Sequence, residues 1–278
     1  MRTFIRGDRV KKVLILTIIV AFCLTGCAEK ANYNHLKQVN VNELEEQTII
    51  HEGLTDTLPT LKEWIWNSSL KEKNYLDWAS LEKIATVREF KNAELAEDFA
   101  EATAFYVMNT DTMVVCPNFF QIESGGQRTY SLTHELMHSL VGVGQSGAEK
   151  SMNLFVEGIT DHLTYVVLGD TLEYELNYRN EVYCISWLMS FYGFDTIAES
   201  ICNGEILDFI DEKSETGNGS KLHEDLATID HSTDMKEVKQ AILSEIEILT
   251  MLCENSPNAD MVQELTEQFQ KSYAPCLN

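Results

Sequence analysis

The chain has 278 residues, of which 44% are hydrophobic and 9% aromatic. That excludes a disordered polymer and supplies enough apolar material for one two-lobed domain or two small ones. The formal charge of −23 becomes more acidic still without the basic first residues, and such a body repels nucleic-acid phosphates, so no nucleic-acid partner is expected.

Arg2, Arg6, Arg9, Lys11 and Lys12 form a basic start, followed by an apolar run over 13–24. A run of about a dozen residues is too short for an ordinary membrane span and suits the apolar core of a secretion signal. It ends in Leu24-Thr25-Gly26-Cys27, which resembles a bacterial lipobox. The expectation is a signal peptide over 1–26, a lipid on Cys27, and a mature protein held at the cell membrane on its extracytoplasmic side. Residues 27–45 are polar without clear periodicity and read as a tether, leaving 46–278 as the folded domain. Five cysteines follow Cys27: Cys116, Cys184, Cys202, Cys253 and Cys276. None lies in a C-x-x-C pattern, so cysteine metal ligation has little support. An odd number leaves at least one thiol unpaired; Cys184 with Cys202 and Cys253 with Cys276 are open pairings.

Between Leu58 and Ala100 apolar residues recur at helical spacing (Leu61, Trp64, Ile65; Leu76, Trp78, Leu81, Ile84; Phe90, Leu95, Phe99), predicting two or three amphipathic helices and one short strand. Residues 104–108 and 113–116 are β-rich runs around the turn signal 109–112, so they predict a hairpin, with Pro117 marking an edge or exit position. Gly125-Gly126 reads as a chain break. Thr129 or Ser131 would cap a helix starting near Leu132 and ended by Gly142 and Gly144. A glycine-rich loop over 142–147 leads to a second helix over 151–168, and a third spans 178–192 up to Gly193. Residues 212–222 read as a surface loop. The stripe Met235, Val238, Ile242, Ile246, Leu249, Leu252 predicts a helix over 235–252, and a last one lies near 259–271. The Trp and Met residues, at helical spacing, are assigned to the core.

The chemistry concentrates in Thr133-His134-Glu135-Leu136-Met137-His138. On a helix, His134 and His138 share one face a turn apart, a spacing that can hold one zinc ion, and the neighbouring Glu135 can serve as general base. A catalytic zinc needs a third protein ligand and an open position. Glu157 supplies a candidate, because the residues after His138 suffice to finish one helix, turn and begin another packed against it. Asp161, one turn further, could accept the free N–H of a ligand histidine and fix its tautomer. Both carboxylates sit on an otherwise apolar stretch, where burial without a purpose is unfavourable. His162 points to another face; His223 and His231 fall in a polar region.

H-E-x-x-H, eighteen residues, then E-G-x-x-D resembles the gluzincin metallopeptidases, typified by thermolysin and the aminopeptidase N family. The resemblance implies a zincin-like α+β fold, with a small mixed sheet in an N-terminal lobe to about residue 142 and a helical C-terminal lobe beyond. It implies zinc bound by His134, His138 and Glu157, with Glu135 as base and Asp161 supporting a ligand histidine. Tyr178, Leu188 and Gly193 keep the spacing of the aminopeptidase segment whose tyrosine donates to the carbonyl oxygen, which implies that role for Tyr178. The implied partner is a peptide or protein substrate, paired along an edge strand at 113–116 in a cleft between the lobes.

This chain departs from both relatives. The G-x-M-E-N signature that grips a free α-amine is absent before His134, and no tyrosine lies between His138 and Glu157. Neither an aminopeptidase nor a thermolysin preference is therefore implied. A reading from another class stays open: a surface binding or adhesion lipoprotein that holds zinc without hydrolysis, which would have no need of Glu135.

Overall fold

The computed structural model describes residues 41–99, 102–107, 110–142, 149–257 and 271. The signal segment, Cys27, most of the tether, the 143–148 loop, Cys276 and nearly all of the 259–271 helix lie outside the described residues. The N-terminal part runs α1 (Val41–Gln47), β1 (Thr48–Ile50), α2 (Glu52–Thr55), α3 (Leu58–Trp66), α4 (Trp78–Lys83) and β2 (Val87–Phe90). It continues through a 3-10 turn (Glu94–Phe99), β3 (Ala104–Val107), β4 (Thr112–Val115) and α5 (Pro117–Gln121). Helices then dominate: α6 (Gly125–Val141), α7 (Glu149–Leu168), α8 (Arg179–Tyr192), α9 (Phe194–Cys202), α10 (Ile206–Lys213), α11 (Asn218–His231) and α12 (Met235–Glu254). The class is thus α+β, mostly helical, with one four-stranded mixed sheet.

The sheet order is β1-β2-β4-β3, with β2 and β4 parallel and the outer pairings antiparallel. The expected hairpin forms, with Ala104 opposite Val115 and Val107 opposite Thr112. The expected edge at 113–116 does not. Met113, Val114 and Val115 are all buried, as a strand covered on both faces requires, and β2 occupies the far side of β4. The edge on this side is β3, which packs beside α6. Pro117 opens α5 at its first turn instead, where its missing N–H is not needed.

One face of the sheet carries a small core of Leu44, Phe90, Ala96, Val107, Val114 and Cys116, closed by the stacked rings of Phe99 and Phe105 at 4.8 Å. Leu44 belongs to α1, so the folded body begins inside the stretch read as a tether. The main core lies on the other face and runs through the helices, and α6 is its axis. From Tyr130 to Val141 every residue of α6 except His138 is buried. The hydroxyls of Ser131, Thr133 and Ser139 are satisfied within the helix, on Gln127, Thr129 and Leu136 carbonyls at 3.1, 2.8 and 2.7 Å.

Helix α6 starts at Gly125, well before Leu132. Ser124 is the cap, its hydroxyl accepting the Gln127 N–H at 3.2 Å, and Gly125-Gly126 form the first turn instead of a break. A Cβ on Gly126 would collide with the Glu173 carbonyl, so glycine admits the 172–177 segment against this turn. Gly142 ends the helix at φ 65°, a left-handed cap. Residues 218–222, read as the end of a surface loop, instead open α11, held by buried Leu222 and Leu226 one turn apart. In α12, Val238, Ile242, Leu249 and Leu252 face the core as expected, whereas Met235 is exposed. Cys116, Cys184, Cys202 and Cys253 are free thiols, so the Cys184–Cys202 pairing is not made.

Helices α7 and α8 meet at Gly158, where an added Cβ would lie 2.7 Å from the Glu181 Cβ and 2.8 Å from the Ile185 Cδ1. Gly158→Ala is expected to destabilise the protein by about 1–3 kcal/mol through overpacking. Gly125→Ala, where an added Cβ meets nothing within 4 Å, is expected to stay within about 0.5 kcal/mol of the wild type. Urea unfolding of the two variants checks the contrast, and an equally stable Gly158→Ala would contradict the close approach.

Candidate metal centre

Tyr130, His134 and His138 recur every four residues on α6 and share one face; Glu157 and Asp161 do the same on α7, which packs against it. Their side chains converge. His134 Nε2 lies 3.0 Å from His138 Nε2 and 3.2 Å from Glu157 Oε2, and His138 Nε2 lies 3.1 Å from Glu157 Oε2. Donors bound to one zinc at 2.0–2.2 Å with near-tetrahedral angles are separated by about 3.3 Å, so the triangle fits such an ion. Two imidazole lone pairs aimed at each other and at a carboxylate also call for a shared positive charge. Among the described residues this trio is the cluster of at least three such groups able to hold a metal.

The electrostatics point the same way. Burial opposes charge on both imidazoles, yet Asp161, Glu157 and Glu135 together outweigh it at His134, and Glu157 with Glu135 at His138, so both are held above the usual histidine range. Burial would raise Glu157, and the two imidazoles overcome it to hold the carboxyl well below the usual range. Side-chain exposure grades from 4% at His134 to 12% at Glu157 and 19% at His138, so the cluster is sealed behind His134 and reached by water from the His138 side.

Asp161 lies behind His134 as expected, with Oδ1 2.6 Å from His134 Nδ1. That bond puts the imidazole proton on Nδ1 and leaves the Nε2 lone pair facing Glu157 and His138. Thr160 Oγ1 stands 3.4 Å from His138 Nδ1. Glu135 is buried beside His134: burial raises its carboxyl above the usual range, and the neighbouring imidazoles of His134 and His138 partly offset this. Tyr178 is the residue before α8, its ring stacked on that of His134 at 5.6 Å and 13°. Leu188 is buried in α8, and Gly193, at φ 95°, makes the turn into α9.

The remaining histidines are elsewhere. His223 is on α11, its Nε2 2.8 Å from Asn153 Oδ1 at the start of the regular part of α7, past a kink at Met152. His231 closes α11. The residue that sequence reasoning passed over is Tyr130, one turn before His134: buried, with its hydroxyl on Asp161 Oδ1. An aromatic at helical spacing is ordinarily core; the one signal was its position four residues before a ligand histidine.

Comparison of the chain with protein-family models, with curated proteins and with solved structures finds no match.

His162 turns away from the cluster, 5.7 Å from the Phe194 ring, and burial pushes it down to about 4. A histidine held neutral in the fold binds its proton more readily when unfolded. Its contribution is therefore present above pH 6.5 and is lost as pH falls from there toward 4. Relative to the wild type, His162→Phe is expected to lose about 1–2 kcal/mol less stability between pH 7 and pH 5. Urea midpoints across that range check this; parallel profiles would contradict it.

Proposed function

We propose that this chain is a zinc metallopeptidase of the gluzincin type, lipid-anchored on the extracytoplasmic side of a cell membrane. The observation that carries the reading is the triangle of His134 Nε2, His138 Nε2 and Glu157 Oε2, with separations of 3.0–3.2 Å, and a buried Glu135 beside it. Zinc held by those three donors supplies a Lewis acid that acidifies a bound water and polarises a substrate carbonyl.

The chain's own groups have separable tasks. Glu135, with its carboxyl raised by burial, accepts a proton from the attacking water and delivers it to the leaving amine. Asp161 holds His134 in the tautomer whose Nε2 faces the ion. Tyr178, stacked on His134, is the proposed donor to the carbonyl oxygen as negative charge grows there. Cys116 N–H donates to the Thr103 carbonyl across the hairpin, and antiparallel alternation then turns the peptide groups of Phe105 and Val107 toward β4 and those of Ala104 and Tyr106 outward. The free edge of β3, in place of the expected 113–116, is thus the proposed partner for an extended substrate backbone. The lipid anchor rests on the basic start, the apolar 13–24 run and Leu24-Thr25-Gly26-Cys27.

Purified protein is expected to carry one zinc per chain and to cleave members of a diverse peptide library. Glu135→Gln is expected to keep the zinc and lose about 10²–10⁴-fold in kcat/KM, and Tyr178→Phe to lose about 10²–10³-fold, mainly in kcat. Stoichiometric zinc with no cleavage by either the wild type or Glu135→Gln would leave a zinc-holding surface lipoprotein as the better account. Absence of zinc, with His138→Ala unchanged, would remove both readings.

A further inference from the structure

The buried carboxylate of Asp161 receives more donors than one ligand histidine requires. Oδ1 accepts His134 Nδ1–H at 2.6 Å and the Tyr130 hydroxyl; Oδ2 accepts the Tyr178 N–H at 2.9 Å. The Tyr130 oxygen also accepts the Asn177 N–H at 2.9 Å. The proton directions are fixed by the partners, because a carboxylate only accepts and an amide N–H only donates. Tyr130 therefore passes a hydrogen bond from the Asn177 backbone to the carboxylate that orients His134.

Its ring is locked as well. Tyr130 stacks on Tyr174 at 5.0 Å and 13° and leans on the His134 ring at 6.0 Å. The segment that supplies Tyr174, Asn177 and Tyr178 is strapped to the start of α6. Gln127 receives the Glu175 N–H at 2.7 Å and donates to its carbonyl at 3.1 Å, and Ser124 donates to the Glu173 carbonyl at 3.1 Å. A phenylalanine would fill the same volume. Burying a phenol is unfavourable unless its hydroxyl is fully bonded, so the hydroxyl points to a role that packing does not need.

We propose that Tyr130 is a positioning residue of the metal centre. Through Asp161 it fixes the orientation of His134, and through Asn177 it fixes the start of the segment that holds Tyr178 against the His134 ring. The proposal rests on the metal-centre reading above and adds to it a residue that touches neither ion nor substrate. One buried carboxylate, steadied by Tyr130, sets both a ligand and the proposed carbonyl donor.

The experiment measures zinc affinity of the full mature chain by chelator competition, with the visible spectrum of the cobalt(II)-loaded protein as a second readout. Tyr130→Phe is expected to bind zinc about tenfold more weakly and to shift the cobalt bands, as loss of a partner behind a ligand does. Tyr174→Phe, which keeps the stack and removes only the hydroxyl bond to the Gly169 carbonyl, is the strap control. It is expected to bind zinc like the wild type even if its melting temperature falls. Unchanged or tighter zinc binding by Tyr130→Phe overturns the proposal, as does an equal loss in Tyr174→Phe. Should Tyr130→Phe not fold, the zinc-loaded wild type decides: a slowly exchanging Tyr130 hydroxyl proton with an NOE to His134 Hδ1 is expected, and its absence overturns the proposal. A wild type that binds no zinc would instead remove the metal-centre reading itself.

Discussion

The carboxylate of Asp161 has no contact with solvent, and an ion in that position is tolerated only when donors saturate its oxygens. Meeting that constraint draws three separate stretches of chain together. Helix α6 contributes His134 and Tyr130, α7 contributes Asp161 itself, and the segment before α8 contributes the Tyr178 N–H. Removing any one donor leaves a buried charge short of partners, which is a larger penalty than losing an ordinary surface hydrogen bond. The relative placement of α6 and α7, and so the meeting of Glu157 with the two histidines, follows from satisfying this one group.

Close packing then sets the distances. At Gly158 there is no room for a Cβ between α7 and α8, and at Gly126 none between α6 and the segment around Glu173. One brings α8 against α7 next to Glu157, and the other brings the chain around Glu173 down onto α6. Rings stack beside Asp161's partners, with Tyr174 on Tyr130 and Tyr178 on His134. His134 is thereby gripped at Nδ1 and on one face of its ring, leaving Nε2 to face His138 and Glu157.

What could be read in the sequence divides along physical lines. His134, Glu135, His138, Glu157 and Asp161 were legible because helical periodicity turns spacing into shared faces, and the structure brings four of their side chains into one cluster with Glu135 beside it. Element boundaries were less legible. Gly125-Gly126 looked like a break because glycine favours neither helix nor strand on its own; the Ser124 cap and the demand for close approach at Glu173 decided otherwise. The 218–231 helix was hidden because a polar stretch with two buried leucines is helical only through its neighbours. Strand β4 was placed at an edge on the evidence of Pro117, but three consecutive buried residues show an interior strand, with the proline spent on starting α5. Pairing partners are a long-range property, and neither periodicity nor a single proline encodes them. Tyr130 escaped notice for a related reason: whether a buried tyrosine is packing or polar depends on what its hydroxyl meets, and Asp161 and Asn177 are far away in sequence.

The balance between burial and neighbouring charge bears on how reactive Glu135 can be. A buried carboxylate free of partners would be neutral over much of the working range and useless as a base, whereas one fully bonded would hold its charge too firmly to accept a proton. Glu135 lies between these limits, raised by burial and drawn back by the two imidazoles.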